Sequence, residues 1–139
     1  MPNVCKESEG AHVVLATSWD PEHPPEALVD GEEGTFWSTT GMYPQEIVIT
    51  FPAATRVTTL ETKSACIKNI VIQKSSNQSP AGWDDLTSTE LTHSEGHVQL
   101  EDHKIDPCII RHIRIIIKSG YEPFVALYSI VMEGTPIES

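Results

Sequence analysis

Asp30 and Thr35 stand five residues apart, separated by the acidic and flexible interval Gly31-Glu32-Glu33-Gly34. A carboxylate and a hydroxyl are hard oxygen donors. Just upstream, Pro24 and Pro25 lead into Glu26-Ala27-Leu28-Val29, enough chain for one helical turn. Proline suits a helix start, and Gly31 suits the position past its end, where the backbone turns left-handed. Such a turn leaves carbonyls unpaired at its C-terminal end, and they carry partial negative charge. Carbonyls, one carboxylate and one hydroxyl gathered in this way form half of a hard-cation site. A second carboxylate lies far down the chain, where Glu133 closes the apolar run that ends in Val131-Met132. Two carboxylates balance a dication, and Ca2+ accepts irregular sets of about six to eight oxygens. The same residues also read without a metal: Asp-Gly is an ordinary turn signal and Glu133 an ordinary strand-end charge. The pattern is not an EF-hand, which needs a run of alternating acidic ligands.

Other chemistry is not indicated. There is no Gly-x-Ser-x-Gly elbow, no phosphate-binding Gly-rich loop, no His-Glu-x-x-His and no Cys-x-x-Cys. Cys108 and His112, if on one strand, share a face but lie too far apart to act as a pair. His93, His97 and His103 fall in turn-rich sequence and read as surface; nothing in their spacing fixes a metal geometry. Asp84, Asp85 and Glu90 read as a solvated acidic face. No nucleophile, base and oxyanion stabiliser assemble, so a non-enzyme is expected. Trp37, two residues beyond Thr35, reads as a buried brace beneath the loop or, if exposed, as a stacking platform for a sugar. Trp19, Tyr43 and Trp83 are the other possible platforms.

The composition bounds the partners. The chain has 139 residues, enough for one domain spanning 1–139, and a net charge of −11. That acidity repels nucleic acid and anionic membrane and is compatible with a cation or a basic protein surface. No basic segment followed by an apolar one opens the sequence, and no apolar run is long enough to cross a bilayer. Cys5, Cys66 and Cys108 are odd in number and widely spread, so they do not read as a disulfide framework. A reduced, cytosolic protein is expected.

Short β-type runs position these residues. Residues 1–10 are polar and read as frayed, as do the last few. Strands are expected over 13–16, 46–51 (ended by Pro52), 56–63, 67–74, 83–91 at an edge, 97–100, 108–118 and 124–133, with strand-like residues also at 35–40. In the run 108–118, Ile109, Ile113, Ile115 and Ile117 share one face, and the isoleucine on the opposite face suggests an interface patch. About eight short antiparallel strands and no long amphipathic helix imply an all-β sandwich or barrel.

The pattern Ala27, Asp30, Gly31, Thr35, Trp37 resembles the discoidin or galactose-binding-like family, whose domains are jelly-roll β-sandwiches. The wording Ala-Thr-Ser, His-Pro-Pro-Glu, Thr-Phe-Trp-Ser-Thr-Thr-Gly-Met-Tyr-Pro-Gln-Glu and the ending Met-Glu-Gly-Thr is closer still to that fold's members in the ciliary transport complex B. The resemblance is most specific over 15–47. It implies a bound Ca2+. The ligands would be the carbonyls of Ala27, Glu32 and Met132, the carboxylates of Asp30 and Glu133, and the hydroxyl and carbonyl of Thr35. It implies a heterodimer with a Rab-like small GTPase, further complex B partners, and residence in the cilium or flagellum and in the cytoplasm near the basal body. The fold also serves carbohydrate-binding modules, which is the alternative function. Many secreted relatives join their ends by a disulfide; Cys5 has no such partner near Ser139.

Overall fold

A computed structural model of the chain describes residues 3–32, 34–92 and 98–137. Eight antiparallel strands form one continuous hydrogen-bonded sheet. They are β1 (His12–Ala16), β2 (Trp37–Ser38), β3 (Gln45–Ala65), β4 (Ile67–Ser75), β5 (Asp84–Glu90), β6 (Gln99–His103), β7 (Cys108–Gly120) and β8 (Ala126–Pro136). The sheet turns over on itself along β3. The first part of β3 carries β1 on one side and β7, β4 and β5 on the other. Its second part carries β6 on one side and β8, then β2, on the other. The two halves face each other across one core, in which Ile47, Ile49, Ile70, Ile72, Ile113 and Ile115 meet Trp37, Leu60, Leu127, Ile130 and Met132. This is the expected sandwich.

Two expectations about the strands need correction. Pro52 does not end a strand. It sits exposed within the irregular stretch between Thr50 and Thr55, where β3 changes register against β7 and keeps going. A proline is tolerated there because the ladder is already broken. The even spacing of isoleucine along β7 is also misleading. Ile113, Ile115 and Ile117 are buried as expected, but Ile109 is 44% exposed and Ile110 is buried in its place. The inward face switches parity at His112–Ile113, both buried. Much of the isoleucine that suggested an interface is therefore core.

The N-terminal segment is not frayed over the described residues. Asn3 pairs with Glu133, a 3-10 turn spans Glu7–Glu9, and Val4 and Cys5 join the core at 4% and 0% exposure. The three cysteines are free thiols. No helix among the described residues is long and apolar enough to cross a membrane.

Candidate metal centre

The Asp30 turn forms as its residues dictate. Pro25–Leu28 make a single 3-10 turn behind Pro24, with Pro25, Ala27 and Leu28 facing the core. Val29 ends it, and Gly31 takes φ +76°, a left-handed value that a side chain would resist. The buried face anchors the turn, and Asp30 projects outward. Its Oδ1 accepts the Glu32 N–H at 2.8 Å, an Asx turn that folds the loop back on itself.

Thr35 then closes the loop. Its Oγ1 lies 3.1 and 3.0 Å from the two Asp30 oxygens and 3.2 Å from the Glu32 carbonyl. A hydroxyl has one proton to donate. Three acceptor oxygens around that single proton leave lone pairs in surplus, pointed at one another. That is the environment a hard cation relieves, and the oxygen-only donor set suits Ca2+ in particular. Among the described residues no three of His, Cys, Asp and Glu gather as a metal-binding group. A centre here would thus depend on carbonyl and hydroxyl oxygens as much as on carboxylates. Ala27 and Asp30 line two adjoining hollows, of about 240 and 360 Å³. Glu32 lines the first of these and Thr35 the second.

Met132 and Glu133 are placed by β3 and by the N-terminal segment. Glu133 pairs across from Thr59, and its Oε1 accepts the Thr59 hydroxyl at 3.1 Å. The Met132 carbonyl accepts the Val4 N–H at 2.9 Å, which leaves that oxygen a second lone pair. Gly134 permits the close approach: a Cβ there would lie 2.5 Å from the Arg56 carbonyl oxygen and force β8 off β3. The structure therefore brings Asp30, Glu32 and Thr35 directly together, while Met132 and Glu133 form a second group on β8. Asn3 links the two, pairing with Glu133 and lining the smaller hollow beside Asp30. Asn3 and Lys6, which lies along Gly31, escaped the sequence reading because nothing in a polar N-terminus marks it as ordered.

The remaining candidates have other settings. Trp37 is fully buried, and its Nε1 donates to the Ser18 carbonyl at 2.8 Å, so it is the brace and not a platform. Trp83 is half-buried with the Arg114 guanidinium 4.8 Å from its ring, Tyr43 donates to the Glu122 carbonyl, and Trp19 is 48% exposed. Asp84, Asp85 and Glu90 are exposed, as read. His103 is not a surface residue; it is 3% exposed and held by the hydroxyls of Thr62 and Thr89. His93 and His97 lie outside the described residues, as does the turn at 94–96.

The jelly-roll sandwich defines a discoidin-class module, and residues 10–130 match the family model of the F5/8 type C domain. Among solved structures, a chitosan-binding module from a Paenibacillus chitosanase/glucanase superposes with a TM-score of 0.80 at 18% identity, covering 96% of this chain and 100% of that one. The family 32 carbohydrate-binding module of Clostridium perfringens NanJ, solved with galactose, gives 0.76 at 17% identity, covering 95% and 98%. These establish the fold alone. The human intraflagellar transport protein 25 homolog is 36% identical over 137 residues, 99% of this chain and 95% of that one. The chain belongs to the intraflagellar transport protein 25 family.

Proposed function

We propose that this chain is a non-catalytic, calcium-binding adaptor subunit of intraflagellar transport complex B. It would form a heterodimer with a Rab-like small GTPase, intraflagellar transport protein 27, and support cargo transport in the cilium or flagellum. It would also reside in the cytoplasm near the basal body. The observation that carries the reading is the match to intraflagellar transport protein 25 along nearly the whole chain. A non-catalytic role is supported by the state of the nucleophile candidates. Burial pushes the Cys5 thiol up to about 12 and raises Cys66 and Cys108 as well, so no thiolate is activated. His112 is engaged at both ring nitrogens by Thr50 and by the carbonyls of Asn77 and Gln78.

Ca2+ would be held by Asp30, the Glu32 and Ala27 carbonyls and Thr35 from the turn, with the Met132 carbonyl and Glu133 from β8. When bound, the ion would supply a cross-link between segments separated by about 100 residues, comparable in kind to a disulfide and worth a few kcal/mol. Support for it is the surplus of oxygen lone pairs around the single Thr35 proton. Two measurements test the proposal. The melting temperature of the purified chain should be several degrees higher in Ca2+ than in chelator; identical curves would remove the ion. A pull-down from ciliated cells should recover a small GTPase together with transport subunits, and recovery of neither would remove the adaptor role. The carbohydrate-binding alternative rests on the exposed Trp19; a glycan array without binding dismisses it.

A further inference from the structure

The N-terminal segment runs between the two halves of the candidate centre and is bonded to both. At one end, Asn3 Oδ1 accepts the Met132 N–H at 2.9 Å, and the Val4 N–H donates to the Met132 carbonyl at 2.9 Å. At the other end, the Glu7 N–H donates to the carbonyl of Val29, the residue before Asp30, at 2.7 Å. Between them Val4 and Cys5 are buried.

β8 needs this segment where the proposed ligands sit. One edge of β8 pairs with β3 over 126–136, but on the other edge β2 covers only Ala126 and Leu127. At Met132 the open edge is filled by Asn3 and Val4 instead. Asn3 Oδ1 takes a second donor, the Cys5 N–H at 3.0 Å, so both of its lone pairs are used and it acts as a splint, not a ligand.

We propose that Asn3 is the positioning residue of the cation centre, and that residues 3–7 form a strap whose closure is reciprocally coupled to cation binding. This rests on the calcium reading above. A cation bridging the Asp30 turn and β8 would hold the same two elements that the strap joins. Whichever closes first lowers the ordering cost of the other, and linkage makes the effect mutual.

Hydrogen exchange of the strap amides, measured on the full chain in excess Ca2+ and in chelator, tests the coupling. Titration calorimetry with Ca2+ on wild type, Asn3→Ala and Asn3→Asp tests the residue. Strap amides should exchange roughly tenfold more slowly with Ca2+. Asn3→Ala should bind Ca2+ about tenfold more weakly, the scale typical of lost supporting contacts at metal sites. Asn3→Asp keeps both acceptor bonds and should restore binding to wild-type strength or better. Should Asn3→Ala fail to fold, the wild-type exchange comparison decides the coupling and Asn3→Gln, which displaces the acceptor by one methylene, decides the residue: weaker Ca2+ binding supports it and undiminished binding overturns it. Ca2+ binding by wild type with unchanged strap exchange overturns the strap while sparing the calcium reading, as does undiminished binding by a folded Asn3→Ala. No Ca2+ binding by wild type overturns both.

Discussion

The two halves of the candidate centre are built in opposite ways. The Asp30 turn is assembled by contacts two, three and five residues apart, around its own glycine. The Met132–Glu133 end of β8 is assembled by partners 74 and 129 residues away, Thr59 and Asn3. The first half brings its oxygens together by contacts within the turn, on a base held by the core and by Glu7. The second has its geometry only when the sheet and the strap are in place. A cation spanning them would convert a local motif into a report on the state of the whole fold.

Removing each half in turn gives the largest effects. Asp30→Ala removes two of the three oxygens that crowd Thr35 and should lower Ca2+ affinity by at least about a hundredfold, because ligand charge dominates such sites. The melting curves of this variant in Ca2+ and in chelator should coincide; if chelator still lowers its melting temperature as in wild type, the ion is elsewhere. Glu133→Gln keeps an acceptor for Thr59 and loses only charge, so the cost should be smaller, about tenfold. Equal losses from the two variants would show that the halves act as one unit and dissolve the contrast.

The same contrast explains what was legible in the sequence. The turn was readable because prolines, Asp-Gly and Thr35 act within a few residues, and Gly31 adopts the left-handed backbone expected of it. The sandwich was readable from short runs of β-branched residues. Continuity of β3 through Pro52 was not, because only the pairing shows that β3 residues 51–54 stand opposite the single β7 residue Arg111, so the proline sits in a bulge and not at a strand end. The inward parity of β7 was not, because it changes at His112–Ile113, where the paired stretch of β3 reaches its register shift after Thr50. Asn3 was invisible because a short polar residue near a terminus has many uses, and only the open edge of β8 gives it this one.

Lys6 offers a finer test of the local half. Its side chain lies along Gly31 and lines the smaller hollow together with Asp30 and Glu32, and among the described residues it makes no ion pair. An ammonium there repels an incoming dication. Lys6→Gln should tighten Ca2+ binding a few-fold at low ionic strength, and the gain should shrink as salt screens the repulsion. Unchanged affinity would place the ion nearer β8 than the turn. Weaker binding would show that Lys6 serves the strap more than it opposes the ion.

The smallest effect concerns the long-range half of the fold without the ion. His103 joins β6 to β5, its Nε2 2.8 Å from the Thr62 hydroxyl and its Nδ1 3.1 Å from that of Thr89. Among the described residues these two strands have no backbone pairing, so the ring clips the far margins of the sheet together. Burial lowers its pKa, and the neighbouring Asp102 carboxylate offsets this only in part. The folded state therefore resists protonation more than the unfolded chain does. The stabilisation is present above the ordinary histidine value near 6.5 and is lost as pH falls from there through the lowered folded value. His103→Gln removes the titration while leaving an amide to meet the hydroxyls. Between pH 7 and 5 the wild-type melting temperature should fall by a few degrees more than that of His103→Gln, both measured in chelator. Parallel slopes would mean that the clip opens without cost, and that β5 and β6 keep their places without the imidazole between them.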